Sequence, residues 1–250
     1  MKIDLTLELT NICNYKCDMC FLSEKDVIRP QHMSIDIVKK FINELNESGY
    51  TINVLRIFWA GEPTLNPEFC NILNLLSKEN KINCISFDTN GSLLDEKIRQ
   101  CILEASKYKP IRIIISVDSF DKEHYEKIRK NGNIEKVKEN IKELALSIDD
   151  KSNIEIALQF VVHPLNKDEL GDFISESKIL LGQDISILLN ESMAHKTGVN
   201  IRPLTVQDEE MGISQEDANL LYIDTLKRFN IIDKESNLKV ESQGGGGLLG

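Results

Sequence analysis

Residues 111–119 read IRIIISVDS, a run rich in branched apolar residues that ends in polar ones. Branched side chains pack well on the surface of a sheet, so the run predicts a buried strand over Ile111–Val117. Runs of the same kind alternate along the chain with segments of helical period, which indicates βαβ units and a mostly parallel sheet. The other predicted strands are Ile3–Leu9, Ile52–Trp59, Ile82–Asp88, Ile154–Val162 and Asp184–Leu189.

The segments between these strands carry apolar residues at helical spacing and recognisable helix starts. Ser34 predicts the N-cap of the first helix, and Asn66–Pro67 opens the second, where proline suits the first turn. Ser92–Asp95 is a capping-box pattern for the third helix. Because parallel strands with right-handed helical crossovers can close into a barrel, we expect an α/β fold. Six units fit a partial (β/α)6 TIM-like barrel, with parallel strands and outer helices.

The chain of 250 residues suits one such domain. We expect a barrel core over residues 1–190, followed over residues 191–240 by a strand and helix extension placed to contact substrate. VNIRPLTV, at 199–206, is a candidate further strand. The Gly-rich stretch 241–250 is expected to be a flexible tail, because glycine has no side chain to offset its loss of conformational entropy.

The charge balance limits the classes of partner. Acidic residues outnumber basic ones 40 to 30, so the net charge of -10 provides no overall attraction for nucleic acid or an anionic membrane. No apolar run approaches the ~20 residues of a membrane span, and we expect a cytoplasmic protein. Thiols stay reduced there, so the cysteines should be metal ligands or buried thiols rather than disulfides. Cys70, Cys84 and Cys101 are expected to be buried and free.

The other three cysteines are clustered. Cys13, Cys17 and Cys20 have the spacing C-x3-C-x2-C and follow the first predicted strand. Three thiolates are one fewer than the four that close a structural zinc site, for which His32 is a candidate fourth ligand. Three thiolates on a cluster of four irons instead leave one iron open to a substrate. The spacing favours the iron-sulfur cluster and leaves zinc as the alternative.

Polar motifs follow the next four strands at the same end. AGEP stands at 60–63, TNG at 89–91, SVDS at 116–119 and VVHP at 161–164. Each motif alone is typical of a turn or a helix cap. Together they lie where barrel enzymes build their active sites. Within AGEP, the Glu62 carboxylate can pair with an ammonium group, and Gly61 lets the backbone approach a ligand closely.

The cysteine spacing and the order of these motifs resemble the radical S-adenosylmethionine (SAM) enzymes, over roughly residues 3–190. The resemblance implies that Cys13, Cys17 and Cys20 hold a 4Fe–4S cluster whose open iron chelates the methionine moiety of SAM. One-electron reduction then cleaves SAM to a 5′-deoxyadenosyl radical, which abstracts hydrogen from a substrate. AGEP has Ala60 where this family has a first glycine.

The resemblance also implies roles for individual side chains. Asn90 would contact the methionine moiety, Ser116 and Asp118 would hydrogen-bond the ribose hydroxyls, and Arg129 would bind the SAM carboxylate. Met19 stands where the family often has an aromatic residue beside adenine. The remaining candidate cofactor-binding residues are Gly61, Glu62 and Val162. His163, at the end of the fifth strand, and His195 have no assigned role, and Trp59 is expected in the barrel wall.

The partners follow from the same resemblance. TNICNYKCDMC and YEKIRK look most like the branch that modifies peptides or proteins, but no cysteine follows Cys101, so its auxiliary-cluster extension is not expected. The substrate is therefore a peptide, a protein or a small molecule, and the reductant a flavodoxin or ferredoxin. The alternatives are a non-catalytic iron-sulfur or zinc protein for electron transfer, and a SAM-binding domain without turnover.

Overall fold

A computed structural model describes residues 1–20, 29–149, 151–182, 184–206 and 211–234. Within these ranges, seven strands form one sheet in which every neighbouring pair is parallel, in the order β1-β2-β3-β4-β5-β7-β6. The strands are β1 Lys2–Thr6, β2 Thr51–Arg56, β3 Ile82–Thr89, β4 Ile111–Ser116, β5 Ile154–Val162, β6 Ser186–Leu189 and β7 Gly198–Pro203. The sheet confirms the predicted parallel α/β class.

The helices of the described ranges lie between the strands or after the last one. They are α1 Ile35–Glu47, α2 Phe69–Ser77, α3 Glu96–Ser106, α4 Lys122–Ile128, α5 Ile134–Ser147, α6 Leu170–Leu181 and α7 Gln215–Arg228. Ser34 is the N-cap of α1 as predicted, whereas α3 begins one turn later than expected. Its N-cap is Asp95, whose carboxylate accepts from the Ile98 amide at 2.9 Å. None of the helices described is long and apolar enough to cross a membrane.

The alternation of side chains along β4 separates the core from the barrel interior. Ile111, Ile113 and Ile115 are fully buried in the main apolar core, which lies between the sheet and the helices. Ile114 belongs instead to a small separate cluster with residues of β5, β6 and the loop after β6. Successive residues of a strand point to opposite faces, so Ile114 faces the inside of the barrel.

The curvature of the sheet brings distant strands together across the barrel interior. Arg56, at the end of β2, donates from Nη2 to Ser192 Oγ at 3.3 Å, although Ser192 lies in the loop between β6 and β7. β1 and β6 remain the two edges of the sheet, so the barrel is partial.

The last two strands lie on either side of the predicted domain boundary at residue 190. β7 lies within the predicted extension, yet it pairs with β5 on one side and β6 on the other. Gly198 makes the second pairing possible, because a Cβ there would lie 1.9 Å from the Ser186 carbonyl oxygen. The sheet therefore continues past residue 190. The predicted tail 241–250 lies outside the described residues.

Two of the cysteines expected to be free form a disulfide. Cys70 on α2 and Cys101 on α3 are bonded, with a Cα–Cα distance of 5.4 Å, whereas Cys84 is free and half-buried. The spacing of 31 residues gave no sign of this, because the contact depends on how two neighbouring helices pack. The bond joins the helices that follow the Glu62 and Asn90 loops.

We predict that Cys101→Ser lowers the free energy of unfolding by about 3 kcal/mol in oxidising buffer, because the bond closes a 31-residue loop in the unfolded chain. Urea unfolding with and without dithiothreitol measures the effect. The reduced protein and the variant should unfold alike, and Cys84→Ser serves as the control with the bond intact. A wild-type midpoint that does not respond to reductant would contradict the crosslink.

Candidate active site

A cavity of about 230 Å³ opens at the carboxyl ends of the strands and collects most of the predicted site. The loop after β1 contributes one wall, and the loops after β2 and β3 contribute another. The predicted site residues that line it are Cys13, Cys17, Met19, Cys20, Gly61, Glu62, Asn90, Ser116 and Arg129. The parallel strands end at one edge, which is why residues far apart in the chain meet there.

The three thiols of the cluster motif share this cavity. Cys17 is buried, and Cys13 and Cys20 are partly exposed. Burial raises the pKa of the Cys13 thiol to about 11 and also raises that of Cys17. Metal binding would deprotonate them, because the thiolate is the ligand.

The three thiols around one cavity are compatible with a 4Fe–4S cluster. Among the described residues, no three Cys, His, Asp or Glu side chains are placed to hold one metal ion. A 4Fe–4S cluster takes each thiolate on a separate iron, so three thiols around one cavity fit it. His32, the candidate fourth zinc ligand, is exposed and does not line the cavity. Its backbone forms an isolated antiparallel β-bridge with Thr10.

Glu62 is a buried carboxylate with neutral partners. Its Oε1 accepts from the Thr64 hydroxyl at 2.6 Å and the Thr89 hydroxyl at 2.8 Å, and its Oε2 accepts from the Asn90 amide at 2.7 Å. Burial raises the pKa of Glu62, and these hydrogen bonds only partly offset the effect. Oε2 retains acceptor capacity toward the cavity, since only one bond reaches it from the described residues.

Gly61 is required by the cysteine loop itself. A Cβ at this position would lie 2.2 Å from the Thr10 carbonyl oxygen and 2.7 Å from that of Ile12. The next residue strengthens the contact, since the Glu62 amide donates to the Ile12 carbonyl at 2.8 Å. The close approach expected of Gly61 is therefore made to protein backbone.

Asn90 is held in place at the cavity wall by both ends of its amide group. The oxygen accepts from the Ser92 amide at 2.9 Å and the Ser92 hydroxyl at 2.6 Å. The nitrogen donates to Asn14 Oδ1 at 2.8 Å, within the cysteine loop. The TNG motif thus supports the loop that carries the thiols.

Asp118 takes a different place from the one expected. It is fully buried and does not line the cavity. One oxygen is 2.6 Å from Arg129 Nε and 2.5 Å from Nη2, and the other accepts from the Val161 amide at 2.8 Å. With both oxygens occupied, Asp118 positions Arg129, which lines the cavity with its Nη1 3.6 Å from Cys17 Sγ. Burial lowers the pKa of Arg129, but Asp118 more than offsets this and raises it above the ordinary value.

At the end of the fifth strand, the residue that lines the cavity is the neighbour of the predicted one. Val162 is fully buried in the main core, and its neighbour Val161 lines the cavity. Since adjacent strand residues point to opposite faces, only one of them can face the cavity. The motif VVHP marked the strand end but not its register.

Several residues of the cavity were not predicted as site residues. Asp88 on β3 and Gln159 on β5 face it, and so do three aromatic side chains of the loops, namely Tyr15, Phe58 and Trp59. Trp59 was expected in the barrel wall but is 61% exposed, at the rim. The polar side chains carried a signal, because they stand at alternate positions of otherwise apolar strands.

The two histidines without an assigned role lie outside the cavity lining. His163 is buried, and its Nε2 is 3.3 Å from Asp18 Oδ2 in the cysteine loop. Burial lowers the pKa of His163, although the neighbouring carboxylates of Asp18 and Asp118 act to raise it. His195 lies on the surface, 3.8 Å from Glu191.

Comparison with known proteins connects this cavity to a family. Residues 7–176 match the family model described as the Radical SAM superfamily. A GTP 3′,8-cyclase of Peptoclostridium acidaminophilum is 32% identical over 197 residues, which is 78% of this chain and 56% of that protein. A probable GTP 3′,8-cyclase of Methanococcus maripaludis is 35% identical over 135 residues, 54% of this chain and 43% of that protein. The chain spans about half the length of these curated relatives.

Solved structures support the fold. Histidine-tagged anSMEcpe with bound AdoMet matches with a TM-score of 0.62 at 20% identity, over 92% of this chain and 60% of that one. Such a likeness confirms the partial barrel. The family model covers well over half of the chain, including the cysteine, AGEP, TNG and SVDS motifs. The chain therefore belongs to the radical SAM superfamily, a family of enzymes that use a 4Fe–4S cluster and SAM.

Proposed function

We propose that this chain holds a 4Fe–4S cluster on Cys13, Cys17 and Cys20 and uses it with SAM to abstract hydrogen from a small polar substrate. The observation that carries the proposal is the one cavity that the thiols share with Glu62 and Arg129. Held by Cys13, Cys17 and Cys20, the cluster would supply one electron, taken from an external donor, for the cleavage of SAM to methionine and a 5′-deoxyadenosyl radical, which would take a hydrogen atom from the substrate.

The charges of the cavity suit the methionine moiety of SAM. Glu62 Oε2 would accept from the SAM ammonium, which supplies the cation that this buried carboxylate lacks among the described residues. Arg129 would bind the SAM carboxylate with the guanidinium edge that Asp118 leaves available. Both groups are held in place by the protein, so little side-chain entropy is lost on binding.

The rest of the cavity would receive the nucleoside. Ser116 at the end of β4 is the candidate for the ribose hydroxyls, since Asp118 is occupied by Arg129. Met19 would pack against adenine, because its flexible thioether adapts to an aromatic ring. Val161 takes the place at the end of β5 that Val162 was expected to hold.

A small-molecule substrate agrees better with the curated relatives than a peptide or protein does. The two relatives carry the names GTP 3′,8-cyclase and probable GTP 3′,8-cyclase, so GTP is one candidate substrate for this chain. A peptide or protein substrate has no support from these two. The electron donor would be a low-potential flavodoxin or ferredoxin, and dithionite can replace it in an assay.

We predict that Cys17→Ala abolishes SAM cleavage, because the two thiolates that remain are too few to hold the cluster. The measurement is 5′-deoxyadenosine and methionine formed after anaerobic reconstitution with iron and sulfide and reduction with dithionite, with and without GTP. Cys84→Ala is the matched control and should keep wild-type activity. Wild-type protein that binds SAM without cleaving it would favour the domain without turnover. A protein that binds no SAM would favour electron transfer.

We also predict that Arg129→Lys weakens SAM binding by about tenfold, or about 1.4 kcal/mol. A lysine ammonium cannot contact Asp118 through two nitrogens and present a further donor edge to a carboxylate. Equilibrium dialysis of the reconstituted proteins measures the dissociation constant. Arg228→Lys, at an exposed ion pair, is the control. Unchanged affinity in Arg129→Lys would remove Arg129 from the SAM site.

A further inference from the structure

The Asp88 carboxylate has an unpartnered oxygen. Its Oδ1 is buried and makes no hydrogen bond among the described residues. A buried acceptor without a donor costs free energy, so such groups are rare in folded proteins unless a ligand or water completes them. Asp88 lines the same cavity as the thiols, Glu62 and Ser116. A group bound by Asp88 would therefore stand beside SAM.

A second unpartnered atom lies on the same face of β3. The Ser86 hydroxyl is fully buried and also lacks a partner among the described residues. Ser86 and Asp88 are two positions apart, so their side chains leave the strand on the same side. That side faces the barrel interior, since Ser86 and Asp88 pair in register with Arg112 and Ile114 on the inward face of β4. Two polar atoms without a hydrogen-bond partner among the described residues therefore lie on the face of β3 that points into the barrel.

The guanidinium groups of Arg202 and Arg56 act electrostatically on Asp88, and both also contact other residues. Arg56 pairs with Asp4 at 3.4 Å and with Ser192. Arg202 donates to Gln159 at 3.2 Å and to Asn190 at 3.4 Å. Burial raises the pKa of Asp88 to about 7 in spite of the opposing effect of both guanidinium groups. Among the described residues, neither guanidinium donates a hydrogen bond to Asp88 Oδ1.

We propose that Asp88 binds a basic nitrogen group of the substrate, an amine, guanidine or amidine, through a charge-assisted hydrogen bond inside the barrel. A nitrogen cation supplies both the donor and the charge, whereas a neutral hydroxyl supplies only the donor. An anionic group would meet the two carboxylates Asp88 and Glu62 at this wall of the cavity. The assignment rests on the proposed radical chemistry, names the class of its substrate and favours a basic nitrogen compound over the anionic candidate GTP.

Deuterium transfer tests the assignment before the substrate itself has been identified. The low-molecular-weight fraction of source-organism cells grown in deuterium oxide is divided on a strong cation exchanger at acid pH. Basic nitrogen compounds are retained, and nucleoside triphosphates such as GTP pass through. Each pool is incubated with holoprotein, unlabelled SAM and dithionite, and deuterated 5′-deoxyadenosine is measured by mass spectrometry. The wild type should take deuterium from the retained pool.

The variants separate binding of substrate from cleavage of SAM. Asp88→Asn should lower the deuterated product by about tenfold or more, since it loses a charged hydrogen bond, while unlabelled 5′-deoxyadenosine persists. Asp88→Ala should show the same loss and unfold no earlier than the wild type, because it removes an unsatisfied buried acceptor. Asp36→Asn, an exposed carboxylate on α1, should match the wild type.

The outcomes distinguish the two levels of the proposal. The role of Asp88 would be overturned if the wild type took deuterium only from the unretained pool or from neither pool. It would also be overturned if Asp88→Asn took as much deuterium from the retained pool as the wild type does. Each of these results would leave the proposed cleavage of SAM intact. A wild-type holoprotein that forms no 5′-deoxyadenosine from SAM would overturn the proposed function, and the role of Asp88 with it.

Discussion

The close contact between Gly61 and the cysteine loop is the constraint on which the site depends. The backbone after β2 passes so near to Thr10 and Ile12 that no side chain fits between them. On the other side, the Lys16 and Asp18 amides donate to carbonyls of Lys130 and Ile128 at 3.0 and 2.8 Å. A loop with little regular structure is thereby fixed at both flanks, so the thiols are positioned by backbone bonds rather than by their own packing.

The buried charges around the cavity are satisfied in three different ways. Asp118 and Arg129 neutralise each other, and the pair is oriented by the Val161 amide. Glu62 is stabilised by neutral donors alone, and Asp88 has an oxygen with no donor among the described residues. Asp118, whose two oxygens are both occupied, serves as scaffold for Arg129, whereas a carboxylate without a cation can gain from a ligand that carries one. Among these three carboxylates, the degree of satisfaction therefore separates the supporting residue, Asp118, from the two proposed binding residues.

Much of the site could be predicted because parallel strands end at one edge of the sheet. The cysteine trio, Glu62 and Asn90 each stand next to the end of a strand that the sequence marks clearly, so their meeting follows from topology. Asp118 and Val162 do not line the cavity, for different reasons. The first depends on whether a side chain reaches the cavity or another side chain, and the second on a strand register, which changes the direction of a side chain with a shift of one residue.

The sequence by itself determined the alternation of strands and helices, the thiol spacing and the polar residues at the strand ends, because these depend on local periodicity and composition. Only the tertiary structure decided that β7 enters the sheet between β5 and β6, that Cys70 meets Cys101, and that Asp88 lacks a partner for one oxygen among the described residues. Each of these depends on contacts between segments far apart in the chain. Such contacts are set by the packing of whole elements against each other, which local sequence patterns do not encode.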